Sequence, residues 1–128
     1  MRILLIDDEP TVLRAFARKL RNHAVETAES GKAALDLLAS GVPPFDGIVC
    51  DVHMPKMDGV AFYRALAERD PAQASRIVFM AGHIMETDDE DFLESRVVLS
   101  KPFNVTELET LLASRAASEK GAGGSEGR

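Results

Sequence analysis

Cysteines, long apolar runs and an excess of positive charge are scarce or absent in this chain of 128 residues. Its single cysteine, Cys50, rules out an internal disulfide, and a free thiol inside an apolar run suits a reducing cytosol. The longest apolar stretches are far too short to span a bilayer, and no signal peptide precedes Asp7. The formal net charge of -6 argues against non-specific nucleic-acid binding, which needs clustered Lys and Arg. These absences predict a cytoplasmic protein that binds neither membrane nor nucleic acid.

The apolar residues that are present, 45% of the chain, are sufficient for the core of one small domain. From residue 116 onward the chain consists of Ala, Ser, Gly and scattered charges, a composition typical of a disordered tail or a linker. We therefore expect one folded domain over residues 1–115, followed by an unstructured segment over residues 116–128.

Strand-like and helix-like segments alternate five times along the folded part. The predicted strands cover residues 2–6, 24–28, 47–50, 76–80 and 97–99. The predicted helices begin at or near Pro10, Ser30, Asp58, Ile84 and Asn104. The fourth helix, over residues 84–93, is the weakest because acidic residues separate its few large apolar ones. Five β–α pairs predict an α/β fold, a doubly wound, five-stranded parallel sheet with five helices covering both faces.

Three of the predicted strands lead into charged residues that suit a phosphoryl site. The first strand runs into Asp7-Asp8, the third into Asp51 and the fifth nearly into Lys101, whereas the fourth runs into the uncharged pair Ala81-Gly82. In an open parallel sheet, ligands bind outside the carboxyl ends of the strands, so these residues should meet in one crevice. Three carboxylates in one place repel one another unless a divalent cation lies among them, and oxygen ligands suit Mg2+. The pattern predicts a magnesium-assisted phosphate site.

Three motifs contain these charged residues: Asp7-Asp8, the run D-V-H-M-P-K-M-D-G over residues 51–59, and Lys101-Pro102-Phe103. In this order they resemble the receiver domain of bacterial two-component response regulators, and the D-x-x-M-P-x-M-D-G run is highly specific. The resemblance covers residues 1–115. It implies a flavodoxin-like receiver topology and a place in two-component signalling or a phosphorelay, with a histidine kinase or a phosphotransfer protein as the partner.

The resemblance also implies a role for each charged residue. Asp51 would be the phosphoacceptor, whose carboxylate attacks the phosphoryl group of a kinase phosphohistidine. Asp8 would bind Mg2+ directly and Asp7 through water, with Asp51 and the backbone carbonyl of His53 as further ligands. Lys101 would pair with a phosphoryl oxygen. No separate substrate is implied, because the domain would catalyse only its own phosphorylation and dephosphorylation before it contacts a downstream protein.

Most of these residues also have a purely structural interpretation. Asp7 and Asp8 stand just before Pro10, where they could simply cap a helix and place negative charge at its N-terminus. Lys101 taken alone could be a solvated lysine. Asp51 is harder to explain in this way, because a carboxylate at the end of a core strand is costly to desolvate without compensation.

The sequence departs from the receiver pattern at the two switch positions. Receivers usually carry Thr or Ser at the end of the fourth strand and Tyr or Phe three residues before the lysine, where this chain has Ala81 and Val98. An alanine cannot donate a hydrogen bond to a phosphoryl group, so we expect an atypical switch. His53 and His83 occupy positions where the family places residues that tune the phosphoryl lifetime. They could equally be ordinary loop histidines, and no further Cys or His makes them a metal-ligand pair.

Three functions from different classes remain open. The first is a phosphoacceptor receiver that uses Asp51, either alone or as part of a hybrid kinase. The second is a receiver-like interaction module that works without phosphorylation. The third is an aspartyl-nucleophile phosphatase, which would normally have a second Asp two residues after the nucleophile, where this chain has His53.

Overall fold

The computed structural model describes residues 1–81, 98–100 and 104–114. Its strands are β1 (Arg2–Ile6), β2 (Ala24–Ala28), β3 (Gly47–Asp51), β4 (Ile77–Ala81) and β5 (Val98–Ser100). They form one sheet in the order β2-β1-β3-β4-β5, in which each neighbouring pair is parallel. The predicted parallel α/β architecture is therefore confirmed, and the strand boundaries differ from the predicted ones by no more than one residue.

The helices among the described residues are α1 (Pro10–Lys19), α2 (Gly31–Ala39), α3 (Gly59–Arg69), the single turn α4 (Pro71–Ala74) and α5 (residues 105–114). Three predicted caps are confirmed. The side chains of Ser30, Asp58 and Asn104 each accept a hydrogen bond from the backbone N–H three residues further on, at 3.0, 2.8 and 2.6 Å. The helix predicted over residues 84–93 and the tail predicted over residues 116–128 lie outside the described residues.

The short helix α4 is absent from the predicted elements. Asp70 Oδ1 accepts a hydrogen bond from Gln73 N at 3.1 Å, and Asp70 Oδ2 accepts one from Gln73 Nε2 at 2.9 Å. These hydrogen bonds lower the pKa of the Asp70 carboxyl from its ordinary value of 3.8. Gln73 Oε1 in turn accepts a hydrogen bond from Phe45 N at 2.8 Å, which ties the turn to the loop before β3.

Side chains of the strands alternate between two apolar layers, one on each face of the sheet. On one face, Leu5 of β1 packs in a cluster with Leu13 of α1 and Leu112 of α5. On the other face, the neighbouring Leu4 belongs to a cluster that includes Phe62 of α3 and residues of α2. Helices therefore cover both faces, which is the predicted doubly wound arrangement. A ligand can reach the sheet at the carboxyl ends of its strands.

Candidate functional site

Three aspartates meet at the carboxyl ends of β1 and β3. One carboxylate oxygen each from Asp7, Asp8 and Asp51 lies within 4.8 Å of the other two. Asp7 is completely buried and Asp51 is 5% exposed, whereas Asp8 is exposed. The predicted meeting of the three carboxylates is thus observed. Within the described ranges, it is the one group of His, Cys, Asp and Glu side chains whose spacing suits a metal ion.

The register of the sheet brings Asp7 and Asp51 together. β1 and β3 are parallel neighbours in which Ile6 aligns with Cys50, so the next residue on each chain segment is an aspartate. Neighbouring strands lie about 4.8 Å apart, which places the two carboxylates side by side. Asp7 N also donates a hydrogen bond to Ala28 O at 3.2 Å. This bond extends the pairing of β1 with β2 by one residue and fixes the backbone of Asp7.

The structure does not support the interpretation of Asp7 and Asp8 as a helix cap. The N-cap residue of α1 is Glu9, its side chain makes no capping hydrogen bond, and the first turn contains no acidic residue. Asp7 Oδ1 accepts a hydrogen bond from Glu9 N at 3.0 Å, which orients this carboxylate before the helix begins. Burial of this carboxylate beside two others is costly, because burial penalises the charged form and the like charges repel one another.

Two hydrogen bonds hold the backbone directly after Asp51. Val52 N donates a hydrogen bond to Met80 O at 2.9 Å, which continues the pairing of β3 with β4 beyond the strand. Asp51 Oδ1 accepts a hydrogen bond from His53 N at 3.2 Å. The backbone of His53 therefore lies next to the Asp51 carboxylate, while the residue as a whole is exposed.

Gly59 allows α3 to begin directly against the backbone of Asp51. A Cβ atom added at Gly59 would stand 2.6 Å from the carbonyl oxygen of Asp51 and 3.0 Å from Cα of Val52. Gly59 N also donates a hydrogen bond to Val52 O at 2.9 Å. Gly59 thus supports the site by letting the start of α3 pack against Asp51. The only sign of this role in the sequence is that the glycine belongs to an Asp-Gly pair at a predicted helix start.

The loop between β3 and α3 has an unusual backbone and a firm anchor. Lys56 adopts a φ of 68°, in the left-handed region that residues other than glycine rarely occupy. The next residue, Met57, lies against the first residue of α2, since a Cβ atom at Gly31 would stand 2.7 Å from Met57 Sδ. The start of α2 therefore holds the loop that follows Asp51.

Cys50 contributes a buried neutral group directly before Asp51. Burial and then the negative charges of Asp51 and Asp7 raise the pKa of the Cys50 thiol well above its usual range. Its Sγ donates a hydrogen bond to the carbonyl oxygen of Asp51 at 3.3 Å. The thiol stays protonated at neutral pH and adds no further negative charge to the crevice.

The structure describes some of the remaining predicted site residues and not others. Ala81 ends β4 at 2% exposure and aligns with Ser100 of β5, and Val98 aligns with Phe79. Lys101 and His83 lie outside the described residues, so the contribution of an ammonium group to this site stays a prediction.

The donor set fits a hard divalent cation. Mg2+ prefers oxygen ligands, and three carboxylate oxygens within 4.8 Å of one another supply them. Two of the three aspartates are almost entirely removed from solvent, so a cation would relieve a repulsion that water can only weakly screen.

The sheet order and the acidic cluster at its carboxyl edge define a receiver-type α/β domain. The sequence model of the response regulator receiver domain matches residues 3–113, and the chain belongs to this family. No helix among the described residues has the length and apolar content needed to cross a membrane.

Individual relatives agree with this assignment. The response regulator Rre1 of Synechocystis sp. is 30% identical over 123 residues, which cover 92% of this chain and 52% of Rre1. The response regulator MprA of Mycolicibacterium vanbaalenii is 43% identical over 68 residues, or 52% of this chain and 29% of MprA. The chain thus spans about half or less of these relatives. A response regulator receiver protein from Sinorhizobium medicae has a similar structure, with a TM-score of 0.77, 29% identity and coverage of 93% of this chain and 96% of that one.

Proposed function

We propose that this chain is a phosphoacceptor receiver, in which Asp51 takes a phosphoryl group from the phosphohistidine of a histidine kinase or a phosphotransfer protein. The observation that carries the proposal is the meeting of Asp51 with Asp7 and Asp8 within 4.8 Å at the carboxyl edge of the sheet. A structural carboxylate would not be expected to lie beside two others when the helix cap that could explain them is absent.

The transfer itself requires a carboxylate that is held in place. An Asp51 oxygen attacks phosphorus as the P–N bond to the donor imidazole breaks. The imidazole leaves with the bonding electron pair and takes up a proton, and Asp51 becomes an acyl phosphate. The hydrogen bond from His53 N to Asp51 Oδ1 helps to orient the nucleophile, and Gly59 packs closely against the backbone that carries it.

Mg2+ is the cofactor that the cluster fits. Asp8 and Asp51 would hold it directly, with the backbone carbonyl of His53 as a further ligand and Asp7 through water. When bound, the cation would neutralise charge that develops on the phosphoryl oxygens. Lys101 would add a second positive charge to these oxygens. The domain would act on no separate substrate, and its chemistry would be limited to its own phosphorylation and dephosphorylation.

The response to phosphorylation is proposed to be atypical. Ala81 is buried at the end of β4 and has no hydroxyl to donate to a phosphoryl group. Val98 of β5 has no aromatic ring that could move with it. A hydrogen bond to a charged group contributes about 1.5–3 kcal/mol, so its loss reduces the energy difference between the phosphorylated and free states.

Ala81 also favours an alternative function, that of a receiver-like interaction module that works without phosphorylation. If Ala81 uncouples the site from the protein surface, the surface can bind a partner in one fixed state. The two functions differ in whether Asp51 is modified at all.

Intact-mass measurement after incubation with acetyl phosphate and Mg2+ tests the proposal. We expect the wild type to gain one phosphoryl group and the Asp51→Asn variant to gain none. Asp58→Asn is the matched control, because this loop residue lies outside the cluster and an asparagine can still cap α3. Equal modification of the Asp51→Asn variant would overturn the assignment, and no modification of the wild type would favour the interaction module.

A further inference from the structure

Met57 connects the loop after Asp51 to the start of α2. Its side chain lies along Gly31, since a Cβ atom added at that glycine would stand 3.4, 3.0 and 2.7 Å from Cβ, Cγ and Sδ of Met57. The side chain also packs against the apolar cluster that contains Leu4 and Phe62. Met57 therefore anchors the loop to the body of the domain.

The loop needs an anchor because its backbone is strained. Met57 N donates a hydrogen bond to Pro55 O at 2.8 Å, across Lys56, whose φ is 68°. A hydrogen bond between residues two apart, with a positive φ at the residue between them, defines a γ-turn of the rare, strained kind. Such strain costs about 1–3 kcal/mol and persists only where the surrounding contacts hold it. Loss of the contact between Met57 and α2 would allow the turn to relax.

Solvent reaches Met57 from one side. A cavity of about 600 Å3 lies between the start of α2 and the loop, and its walls are Ser30, Lys32, Pro55, Lys56 and Met57 itself. Met57 is only partly buried. A molecule as small as hydrogen peroxide can therefore enter the cavity and meet the thioether.

The other methionines within the described ranges differ from Met57 in access or in position. Met54 and Met80 are buried, at 8% and 1% exposure. Met1 is partly buried, but it precedes β1 and so lies at the opposite edge of the sheet from Asp51. Among these four, Met57 alone combines access to solvent with a place in the loop that follows the phosphoacceptor.

We propose that Met57 is an oxidation site, at which a peroxide converts the thioether to a sulfoxide and thereby slows the phosphorylation of Asp51. The inference rests on the proposed function, because it names a regulation of the same site. A lone pair of the sulfur attacks one oxygen of hydrogen peroxide, so that an S–O bond forms and the O–O bond breaks. The departing hydroxide takes up the proton of the transferred oxygen and leaves as water. The sulfur is oxidised by two electrons and the peroxide is reduced by two.

A sulfoxide cannot keep the contacts of the thioether. It is polar and carries an additional oxygen, whereas the sulfur lies close against Gly31 and a polar group is costly to bury without a hydrogen-bond partner. The modified side chain should therefore turn into the cavity and leave the loop without its anchor. The same loop contains His53, whose N–H donates a hydrogen bond to Asp51 Oδ1 at 3.2 Å and helps to orient the nucleophile.

Peptide mass spectrometry after exposure to hydrogen peroxide, in the presence of a chelator, tests the first step. We expect Met57 to be oxidised faster than Met54 and Met80, because these two side chains are buried. The chelator is then replaced by Mg2+ and acetyl phosphate is added. Intact-mass measurement follows the phosphorylation, since an added oxygen and an added phosphoryl group differ in mass.

Three variants separate Met57 from the other oxidisable groups. Met57→Leu removes the sulfur and keeps an apolar side chain of similar volume. Met1→Leu is the matched control, because it removes a partly buried methionine at the other edge of the sheet. Met57→Gln places a polar group at the position without any oxidation. Thermal unfolding checks that each variant is folded.

We expect the oxidised wild type to be phosphorylated about threefold or more slowly than the unoxidised wild type, because a small displacement of the nucleophile lowers the rate steeply. Methionine sulfoxide reductases A and B, which act on the two sulfoxide epimers, should restore the rate. Met57→Leu should have the same rate before and after peroxide, and Met1→Leu should respond as the wild type does. Met57→Gln should be slower than Met57→Leu without peroxide.

Three results would overturn the inference. These are oxidation of Met57 no faster than that of Met54 and Met80, equal rates for oxidised and unoxidised wild type, and equal slowing of Met57→Leu by peroxide. The last result would assign the effect to another group, such as Cys50, although burial raises the pKa of this thiol and so disfavours its oxidation. If Met57→Leu did not fold, failure of the reductases to restore the oxidised wild type would overturn the inference instead.

The same experiment keeps the proposed function apart from this inference. Phosphorylation of the unoxidised wild type by acetyl phosphate leaves the proposed function intact, whichever of these results is found. Failure of acetyl phosphate to modify the unoxidised protein would overturn the proposed function, and the regulation of Asp51 with it.

Discussion

Replacing Asp7 by asparagine should stabilise the metal-free protein and weaken its response to Mg2+. The substitution removes a negative charge from a completely buried position beside Asp51. An asparagine Oδ1 can still accept the hydrogen bond that Glu9 N donates to Asp7 at 3.0 Å. The variant therefore changes the charge and keeps the shape and this hydrogen bond.

Coulomb's law sets the scale of the effect. Two unit charges 4.8 Å apart, the upper limit within the cluster, repel each other by about 3.5 kcal/mol at an effective dielectric constant of about 20. Water at the open edge, where Asp8 is exposed, screens part of this repulsion. We therefore expect the free energy of unfolding to rise by roughly 1–2 kcal/mol, which corresponds to about 3–10 °C in Tm for a domain of this size.

Thermal unfolding at neutral pH, in a chelator and in millimolar Mg2+, measures both parts of the prediction. The wild type should gain stability in Mg2+, because a cation that binds only the folded state shifts the unfolding equilibrium. Asp7→Asn should start from a higher Tm and gain less. The control Asp58→Asn, which lies outside the cluster, should gain as much from Mg2+ as the wild type.

A lower Tm for Asp7→Asn than for the wild type in the chelator would refute this reasoning. It would mean that the protein itself already compensates the buried charge of Asp7. Repulsion among the carboxylates would then no longer argue for a bound cation.

Three further predictions concern the support of the site, the missed turn and the switch. Gly59→Ala should lower stability by about 1–3 kcal/mol, since its Cβ would stand 2.6 Å from Asp51 O, and an unchanged urea midpoint would contradict this contact. Asp70→Ala should be less stable than the wild type at neutral pH, and this difference should shrink as the pH falls through and below 3.8, because a carboxylate with a lowered pKa stabilises the fold only while it is ionised. A difference that stays constant in urea titrations across this pH range would show that the charge is not involved. Ala81→Thr should increase the amide chemical-shift changes that beryllofluoride, a mimic of the phosphoryl group, causes over residues 84–100. The reason is that a ligand shifts a conformational equilibrium only if it contacts the two states differently, and the threonine hydroxyl would supply such a contact. Equal chemical-shift changes in the wild type and the variant would exclude the hydroxyl as the missing contact.

Features that depend on local chemistry could be predicted from the sequence. Ser30 and Asp58 cap helices as their positions before apolar-periodic segments indicate. The alternation of strands and helices predicts the parallel sheet and its two covered faces. The helix α4 was not predicted, because the pair Asp70-Pro71 both ends α3 and begins α4.

Contacts between distant parts of the chain could not be predicted in the same way. The meeting of the aspartates at strand ends follows from the rule for parallel sheets, but their pairing depends on β1 lying next to β3, which no local pattern specifies. The approach of Gly59 to Asp51 and the hydrogen bond from Phe45 N to Gln73 also depend on tertiary packing. Local sequence patterns indicate backbone conformation and burial, but they do not give the distances between residues that are far apart in the chain.

Ile6 of β1 aligns with Cys50 of β3. The acidic cluster depends on this strand register more strictly than the surrounding apolar core does. A slip of β1 by one residue would exchange its two faces and expose apolar side chains, so packing alone forbids it. A slip by two residues would return each side chain to its own face and could leave much of the core intact. It would, however, carry Asp7 roughly 7 Å along the strand, away from Asp51. Insertions or deletions of two residues in β1 should therefore yield proteins that fold but have lost the acidic cluster, so that stability and phosphoacceptor chemistry can be lost independently.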